Sequence, residues 1–93
     1  MINIAPCHDF TYDGAVVKVF YANIGEGLSK HSHQYAHATL CTSGSCMVRK
    51  EHKQLVMTKE TQPVNLIAGE WHEIEALENN TVFINIFSET KQG

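Results

Sequence analysis

Six histidines in a chain of 93 residues are the side chains whose type and spacing could do chemistry. His31 and His33 are two positions apart, and residues i and i+2 of a strand point to the same face of a sheet. Their two imidazoles can therefore reach one point. Imidazole nitrogen is a preferred ligand of Zn, Cu, Fe and Ni, so this pair favours a metal site.

His37 has the same parity as this pair, but a straight strand from His31 to His37 would span roughly 20 Å at about 3.3 Å per residue. Nitrogen ligands lie only about 2.0–2.2 Å from their metal. If the three rings share one ion, the chain must bend between His33 and His37. We expect this bend at Gln34 and Tyr35.

The other three histidines are scattered along the chain. His72 follows the turn residue Gly69 and begins a segment in which polar and apolar residues alternate. It could join the first histidines only from a neighbouring strand. His8 and His52 lie outside the pattern, and we expect both to face solvent.

The segments that must position these histidines look like strands. Asp13-Gly14 and Ser43-Gly44-Ser45 are turn signals, and no window sustains the i, i+3, i+4, i+7 spacing of a helix. The pattern predicts one all-β domain over residues 1–93, an antiparallel sandwich or barrel of seven or eight strands. The predicted strands are residues 15–21, 36–41, 46–50, 54–58, 64–67, 71–77 and 81–87.

The first histidines lie in a longer motif that resembles the first motif of the cupin superfamily. That motif reads Gly, five residues, His-x-His, three or four residues, Glu, six residues, Gly. Here Gly25 precedes His31 and His33 at this spacing, and Gly44 closes the motif. His37 occupies the position where the family usually has Glu.

The second cupin motif is matched in part. It ends in Pro-x-Gly, two residues, His, three residues, Asn, and Gly69 and His72 fit this spacing. Ile67 stands in place of the Pro, Ala76 in place of the Asn, and Thr61 in place of the opening Gly. The two motifs together cover residues 25–76.

The resemblance implies a small single-domain jelly-roll barrel of the four-histidine type, with one divalent metal. Fe, Mn or Ni are favoured, because an octahedral shell with four protein ligands leaves two positions for a substrate. Zn and Cu are the alternatives, and four histidines would fill the tetrahedral shell of Zn. The ligands that the resemblance implies are His31, His33, His37 and His72.

Alternation along the strands also suggests which residues surround this centre. Thr39, Asn85, Glu73 and Glu75 are candidates to hold the second nitrogen of each ring. On the last strand we favour the face of Phe83, Asn85 and Phe87 over that of Val82, Ile84 and Ile86. The candidate substrate pocket comprises Tyr35, Thr39, Cys41, Trp71, Phe83, Asn85 and Phe87.

The resemblance suggests one function and the small size of the chain suggests another, beside a weaker third option in which the barrel binds no metal. The first is a metal-dependent enzyme with dioxygenase-type oxidative chemistry on a small organic molecule. The alternative is a non-catalytic small-molecule binding or sensor module in which the metal is structural. The serines lack a nucleophile-elbow context, and no catalytic residue is assigned.

Composition limits the partners. A net charge of −3 argues against nucleic acid, which needs a basic surface. No apolar run is long enough for a bilayer, and the N-terminus lacks a secretory signal, so we expect a cytoplasmic protein without membrane contact. The resemblance implies a homodimer. The apolar N-terminal segment with Ile2 and Ile4 would suit an exchange of strands between its two chains. Residues 1–3 and 89–93 are otherwise expected to fray.

The three cysteines have no CxxC spacing and indicate no disulfide framework. Cys41 and Cys46 bracket a turn, so they could face each other across two strands. Whether they pair stays open.

Overall fold

The computed structural model describes residues 1–88, which form ten strands and no helix. Residues 89–93, part of the predicted domain and expected to fray, lie outside the described residues. Nothing within residues 1–88 is a helix long and apolar enough to cross a membrane. The strands are β1 (Ile2–Asn3), β2 (His8–Tyr12), β3 (Ala15–Ala22), β4 (Glu26–His31), β5 (His37–Ser43), β6 (Ser45–Lys50), β7 (Lys53–Thr58), β8 (Val64–Leu66), β9 (His72–Ala76) and β10 (Thr81–Ser88).

All seven predicted strands are confirmed, with ends that differ by one or two residues. Three strands were not predicted, namely β1, β2 and β4. All five residues of β2 are exposed, so no alternation of burial marks this strand. The sequence of β4, EGLSKH, contains a glycine and four polar residues next to a turn, which is a weak strand signal.

The strands pair in two five-stranded sheets. Sheet I has the order β1-β4-β9-β6-β7, and sheet II has the order β2-β3-β10-β5-β8. Neighbours are antiparallel, except that β1 runs parallel to β4. The predicted all-β jelly-roll architecture is confirmed. It takes the form of a sandwich of two facing sheets, however, because no ladder of hydrogen bonds within residues 1–88 closes them into one barrel.

The N-terminal segment is part of sheet I. The Ile2 N–H donates to the Gly25 carbonyl at 3.0 Å, and the Ile4 N–H donates to the Gly27 carbonyl at 3.0 Å. The expected fraying of residues 1–3 is therefore wrong. Backbone donors of this segment find acceptors on β4 and on Gly25 just before it, which the short apolar sequence alone does not reveal.

The core lies between the two sheets. Phe20 of β3 and Phe83 of β10 stack at a centroid distance of 4.8 Å, and Val48, Met57 and Ile74 pack fully buried in the same cluster. Each such side chain contributes about 1.5–3 kcal/mol relative to an exposed one. Strand β10 shows how alternation along a strand builds this core. Its odd-numbered residues 81, 83 and 85 are buried, and its even-numbered residues are not.

Polar side chains interrupt this apolar interior. His37 and Thr39 of β5, His72 of β9 and Asn85 of β10 are all buried. Burial of a polar group without a partner is unfavourable, so buried imidazoles and amides need a reason. Their position, between the sheets and next to the start of β5 and β9, marks the candidate site.

Candidate metal centre

Four histidines converge from three strands and one loop. His31 ends β4, and His72, which begins β9, lies directly opposite it in the β4–β9 register. His33 lies in the loop that follows, and the chain bends at Gln34 and Tyr35, as predicted. His37 begins β5 on sheet II.

Three of the rings form a compact group. One ligand nitrogen from each of His31, His33 and His72 lies within 4.8 Å of the other two, so these residues could hold a metal ion. Their ring centroids are 4.5 Å apart for His31 and His72, 4.8 Å for His31 and His33, and 5.0 Å for His33 and His72. Metal binding by this part of the chain thus has a geometric basis.

His37 lies beside these three histidines but is not a member of the group defined by the 4.8 Å distance. Its Nε2 lies 3.4 Å from Nε2 of His72, and its ring centroid lies 5.0 Å from that of His33. The predicted role of His37 as a fourth ligand stays a prediction.

Backbone carbonyls orient two of the rings. Nδ1 of His31 lies 2.6 Å from the Ser29 carbonyl oxygen, and Nδ1 of His72 lies 3.3 Å from that of Glu70. A carbonyl oxygen only accepts, so each Nδ1 carries the proton and donates it. Each Nε2 is then left with a lone pair for a metal, which is how a second hydrogen bond fixes the tautomer of a ligand histidine.

The prediction that Glu73 and Glu75 hold the second nitrogen of the ligand rings is wrong. Glu73 and Glu75 lie on the outer face of sheet I, where the Arg49 guanidinium donates to them at 2.7 and 2.9 Å. Alternation explains the difference, because in β9 the even-numbered residues are buried and the glutamates point the other way. The side-chain oxygens of Thr39 and Asn85 have no hydrogen-bond partner among the described residues, so they do not hold a ring either.

Burial favours the neutral form of three of these imidazoles, those of His33, His37 and His72. Burial, and after it the neighbouring His72, lowers the pKa of His37 from 6.5 to about 4. Burial and then His31 lower the pKa of His72 to about 4 as well. The pKa of His33 is lowered by burial and by His31. Neutral rings at physiological pH have the lone pairs that a cation needs.

The donor set fits a divalent metal. Two nitrogens that are each 2.0–2.2 Å from one ion cannot be more than about 4.4 Å apart. The 3.4 Å between His37 and His72 meets this limit, and the group of three needs shifts of only a few tenths of an ångström. Nδ1 of both His33 and His37 is buried without a partner in the described chain, as expected if binding a ligand reorients these rings.

A cavity of about 150 Å³ opens beside this group. It is lined by His31, His33 and His37, which leaves one side of the centre accessible. A second cavity of about 450 Å³, at the β5–β10 end of sheet II, touches only His37 of the four histidines. The remaining residues that line the smaller cavity are Lys18, Phe20, Leu28, Tyr35, Asn85 and Phe87.

The predicted pocket residues divide into two sets. Tyr35, Asn85 and Phe87 line the smaller cavity, and the Tyr35 ring lies 4.5 Å from the rings of both His33 and Phe87. The other four do not line it. Thr39, Cys41 and Phe83 are buried in the interior, and the Trp71 ring packs under the Lys30 ammonium at 4.3 Å. A role in substrate binding stays a prediction for all seven.

Sequence reasoning missed three lining residues, Lys18, Phe20 and Leu28, of which Lys18 is the charged one. It is the only charged residue in the strand segment AVVKVFY, and its even number places it on the same face as the buried Phe20. A charge on the inward face of an apolar strand is the signal that could have found it. The cysteines add no such group, because Cys41 and Cys46 are buried free thiols, and burial raises the pKa of each.

Solved structures of other proteins share this architecture. KdgF from Halomonas sp. aligns at 16% identity with a TM-score of 0.77, over 86% of this chain and 74% of that one. A cupin superfamily protein from Desulfitobacterium hafniense aligns at 14% identity with a TM-score of 0.72, over 94% of this chain and 83% of that one. A cupin-2 domain containing protein from Shewanella frigidimarina aligns at 9% identity with a TM-score of 0.71, over 91% of this chain and 83% of that one. No protein-family model and no curated protein matches the sequence.

The fold and the site together define a class. The chain has the cupin fold, as the motif resemblance implied, and it carries a histidine cluster suited to a metal between its two sheets. At these identities the structural likeness concerns the fold alone. Metal identity, reaction and substrate have to be argued from the residues of this chain.

Proposed function

We propose that this protein is a metal-dependent enzyme that carries out dioxygenase-type oxidation of a small organic molecule. The supporting observation is a cluster of three histidines, His31, His33 and His72, whose ligand nitrogens lie within 4.8 Å of one another and which opens on one side to a cavity of about 150 Å³. A site with an open side can admit a substrate, whereas a purely structural site is closed by the protein.

His31, His33 and His72 would hold the metal, with His37 as a fourth ligand. A bound divalent Fe, Mn or Ni ion would supply Lewis acidity and, for Fe or Mn, an electron acceptor and donor for oxygen chemistry. Because His37 replaces the usual Glu, the ligand set is neutral and the site keeps the full charge of its ion. This favours polarisation of a bound substrate oxygen and disfavours the oxidised state of the ion.

The remaining residues would orient the substrate and exclude water. Phe20, Leu28 and Phe87 give the cavity apolar walls, and Tyr35 closes it from the side of His33. Ser29 and Glu70 fix the proton on Nδ1 of two ligand rings, so these imidazoles stay aligned during turnover. None of these groups is assigned as a general base.

A structural metal in a binding or sensor module is the second candidate. His72 belongs to sheet I and His37 to sheet II, so an ion between them would cross-link the sandwich. In that case removal of the metal should unfold the protein rather than only stop turnover. A cytoplasmic location stays a prediction under either function.

The test compares metal-loaded and metal-free protein. Protein produced without added metal is analysed for bound metals, and oxygen uptake is then followed over a panel of small enolisable carbonyl compounds. The enzyme proposal expects uptake with at least one compound, and no uptake in protein stripped by a chelator that remains folded. Loaded protein that turns over no compound, together with unfolding on chelation, would favour the structural role.

A further inference from the structure

We propose that the cavity beside the histidines binds a small carboxylate that carries a neighbouring hydroxyl group. The Lys18 ammonium would pair with the carboxylate, and Oδ1 of Asn85 would accept a hydrogen bond from the hydroxyl. This inference names the substrate class of the site and therefore rests on the proposed function for its biological meaning.

A polar row crosses the inner face of sheet II. Asp9 lies opposite Lys18 in the β2–β3 register, Lys18 opposite Asn85 in the β3–β10 register, and Asn85 opposite Thr39 in the β10–β5 register. Residues directly opposite each other in an antiparallel pair share a face. The row therefore runs from the exposed edge of the sheet to the buried interior, beside the histidines.

Lys18 is the member of this row that can recognise an anion. It lines the cavity together with the histidines, and its Nζ lies 3.6 Å from Oδ2 of Asp9. The two side chains are 36% and 52% exposed, and ion pairs at such sites contribute little to stability. A ligand carboxylate can therefore share or replace Asp9 at low cost, and Lys18 has two further N–H donors for it.

Asn85 supplies the second contact. Its side chain is almost fully buried, yet Oδ1 has no hydrogen-bond partner among residues 1–88. An unpaired buried acceptor is unfavourable, and a ligand hydroxyl that donates to it removes the penalty. Because Asn85 and Lys18 lie opposite each other on adjacent strands, a ligand that pairs with one has its neighbouring atoms next to the other.

Charge and size narrow the ligand further. Lys18 is the one charged residue in the lining of this cavity, and no carboxylate of the described chain lines it. With a lysine and no carboxylate from residues 1–88 in its wall, the cavity favours an anion. Its volume equals about five water molecules at roughly 30 Å³ each, which suits a hydroxy acid of three or four carbons rather than a sugar or nucleotide.

The test uses lactate and its neutral analogue lactamide, which differ in charge and hardly in size. Their affinities are measured by NMR titration of isotope-labelled protein, both metal-free and loaded with Zn. We expect lactate to bind at least tenfold more tightly than lactamide. Lys18→Met should remove this preference, whereas Lys59→Met, on an exposed turn, should keep it.

Equal binding of lactate and lactamide, or an unchanged preference in Lys18→Met, would overturn the inference. If the protein binds metal but neither compound, the inference fails and the proposed function stands. If the protein takes up no metal and metal-free protein still prefers lactate through Lys18, the proposed function fails and the inference stands.

Discussion

Nε2 of His37 and Nε2 of His72 lie 3.4 Å apart, although the two rings come from opposite sheets of the sandwich. Both side chains are buried, and the pKa of each is lowered to about 4. Two neutral nitrogens at this distance share either one proton or one cation. The contact therefore links the two sheets at the proposed metal site, and the following predictions test it.

Replacement of His37 separates its role as a ligand from its role in packing. We expect His37→Ala to weaken metal binding by at least tenfold, and His37→Glu to keep the metal, because a carboxylate also binds these ions. With iron bound, the Glu variant should have a lower reduction potential, since the added negative charge favours the oxidised state. Calorimetric metal titration and redox titration measure both effects. Unchanged affinity in His37→Ala would remove this residue from the ligand set.

Acid should destabilise the metal-free protein through its buried imidazoles. His37 and His72 have a folded-state pKa of about 4, whereas the unfolded chain binds these protons near 6.5. Between these values the unfolded state holds more protons, so the free energy of unfolding falls as the pH falls from about 6.5 to about 4. At about 1.4 kcal/mol per pKa unit, each ring removes at most about 3.5 kcal/mol.

Urea unfolding at a series of pH values measures this dependence. A double variant His37→Gln, His72→Gln should lose most of the slope in this window. If the slope persists there, other groups are responsible.

Gly27 should be required for the site although it does not touch a metal ligand. A Cβ at this position would collide with the Ile74 carbonyl, so Ala would push β4 away from β9 and separate His31 from His72. We expect Gly27→Ala to lose about 2 kcal/mol or more of stability, in the range of overpacked sites, and at least tenfold in metal affinity. Gly25→Ala is the control, since nothing lies near its Cβ and its positive φ alone should cost about 1 kcal/mol.

The glutamates of β9 should be dispensable for metal binding. Glu73 and Glu75 pair with Arg49 on the outer face of sheet I, away from the rings. We expect Glu73→Gln and Glu75→Gln each to change stability by less than about 1 kcal/mol, because these ion pairs at the sheet surface remain partly exposed to solvent, and to leave metal affinity unchanged. A marked drop in affinity would show that a carboxylate of β9 does support the centre.

Much of the fold was predictable because alternation is a strong signal where one face is buried. The alternating burial of β9 and β10 follows directly from their residues. Strand β2 was not predicted because all its residues are exposed. Strand β4 was not predicted because it is held by close packing at Gly27 rather than by a run of hydrophobic residues. Whether the sheets close into a barrel depends on pairing between distant strands, which no local pattern encodes.

The site was predictable to a similar extent. Spacing identified His31, His33 and the bend before His37, because ligand geometry limits how far a chain can run. It could not reveal that backbone carbonyls of Ser29 and Glu70 orient the rings, since any residue supplies a carbonyl. Lys18 was missed because its inward direction becomes evident only when β3 is paired with β10.

The most direct test of this account is the metal content per chain in protein purified without an affinity tag or added metal. Elemental analysis should find about one divalent transition metal per chain. The content should fall below about one tenth in His72→Ala and stay unchanged in His52→Ala, whose histidine is exposed on the β6–β7 turn. No metal in the unmodified protein after reconstitution, or full metal content in His72→Ala, would contradict a histidine metal centre between the sheets.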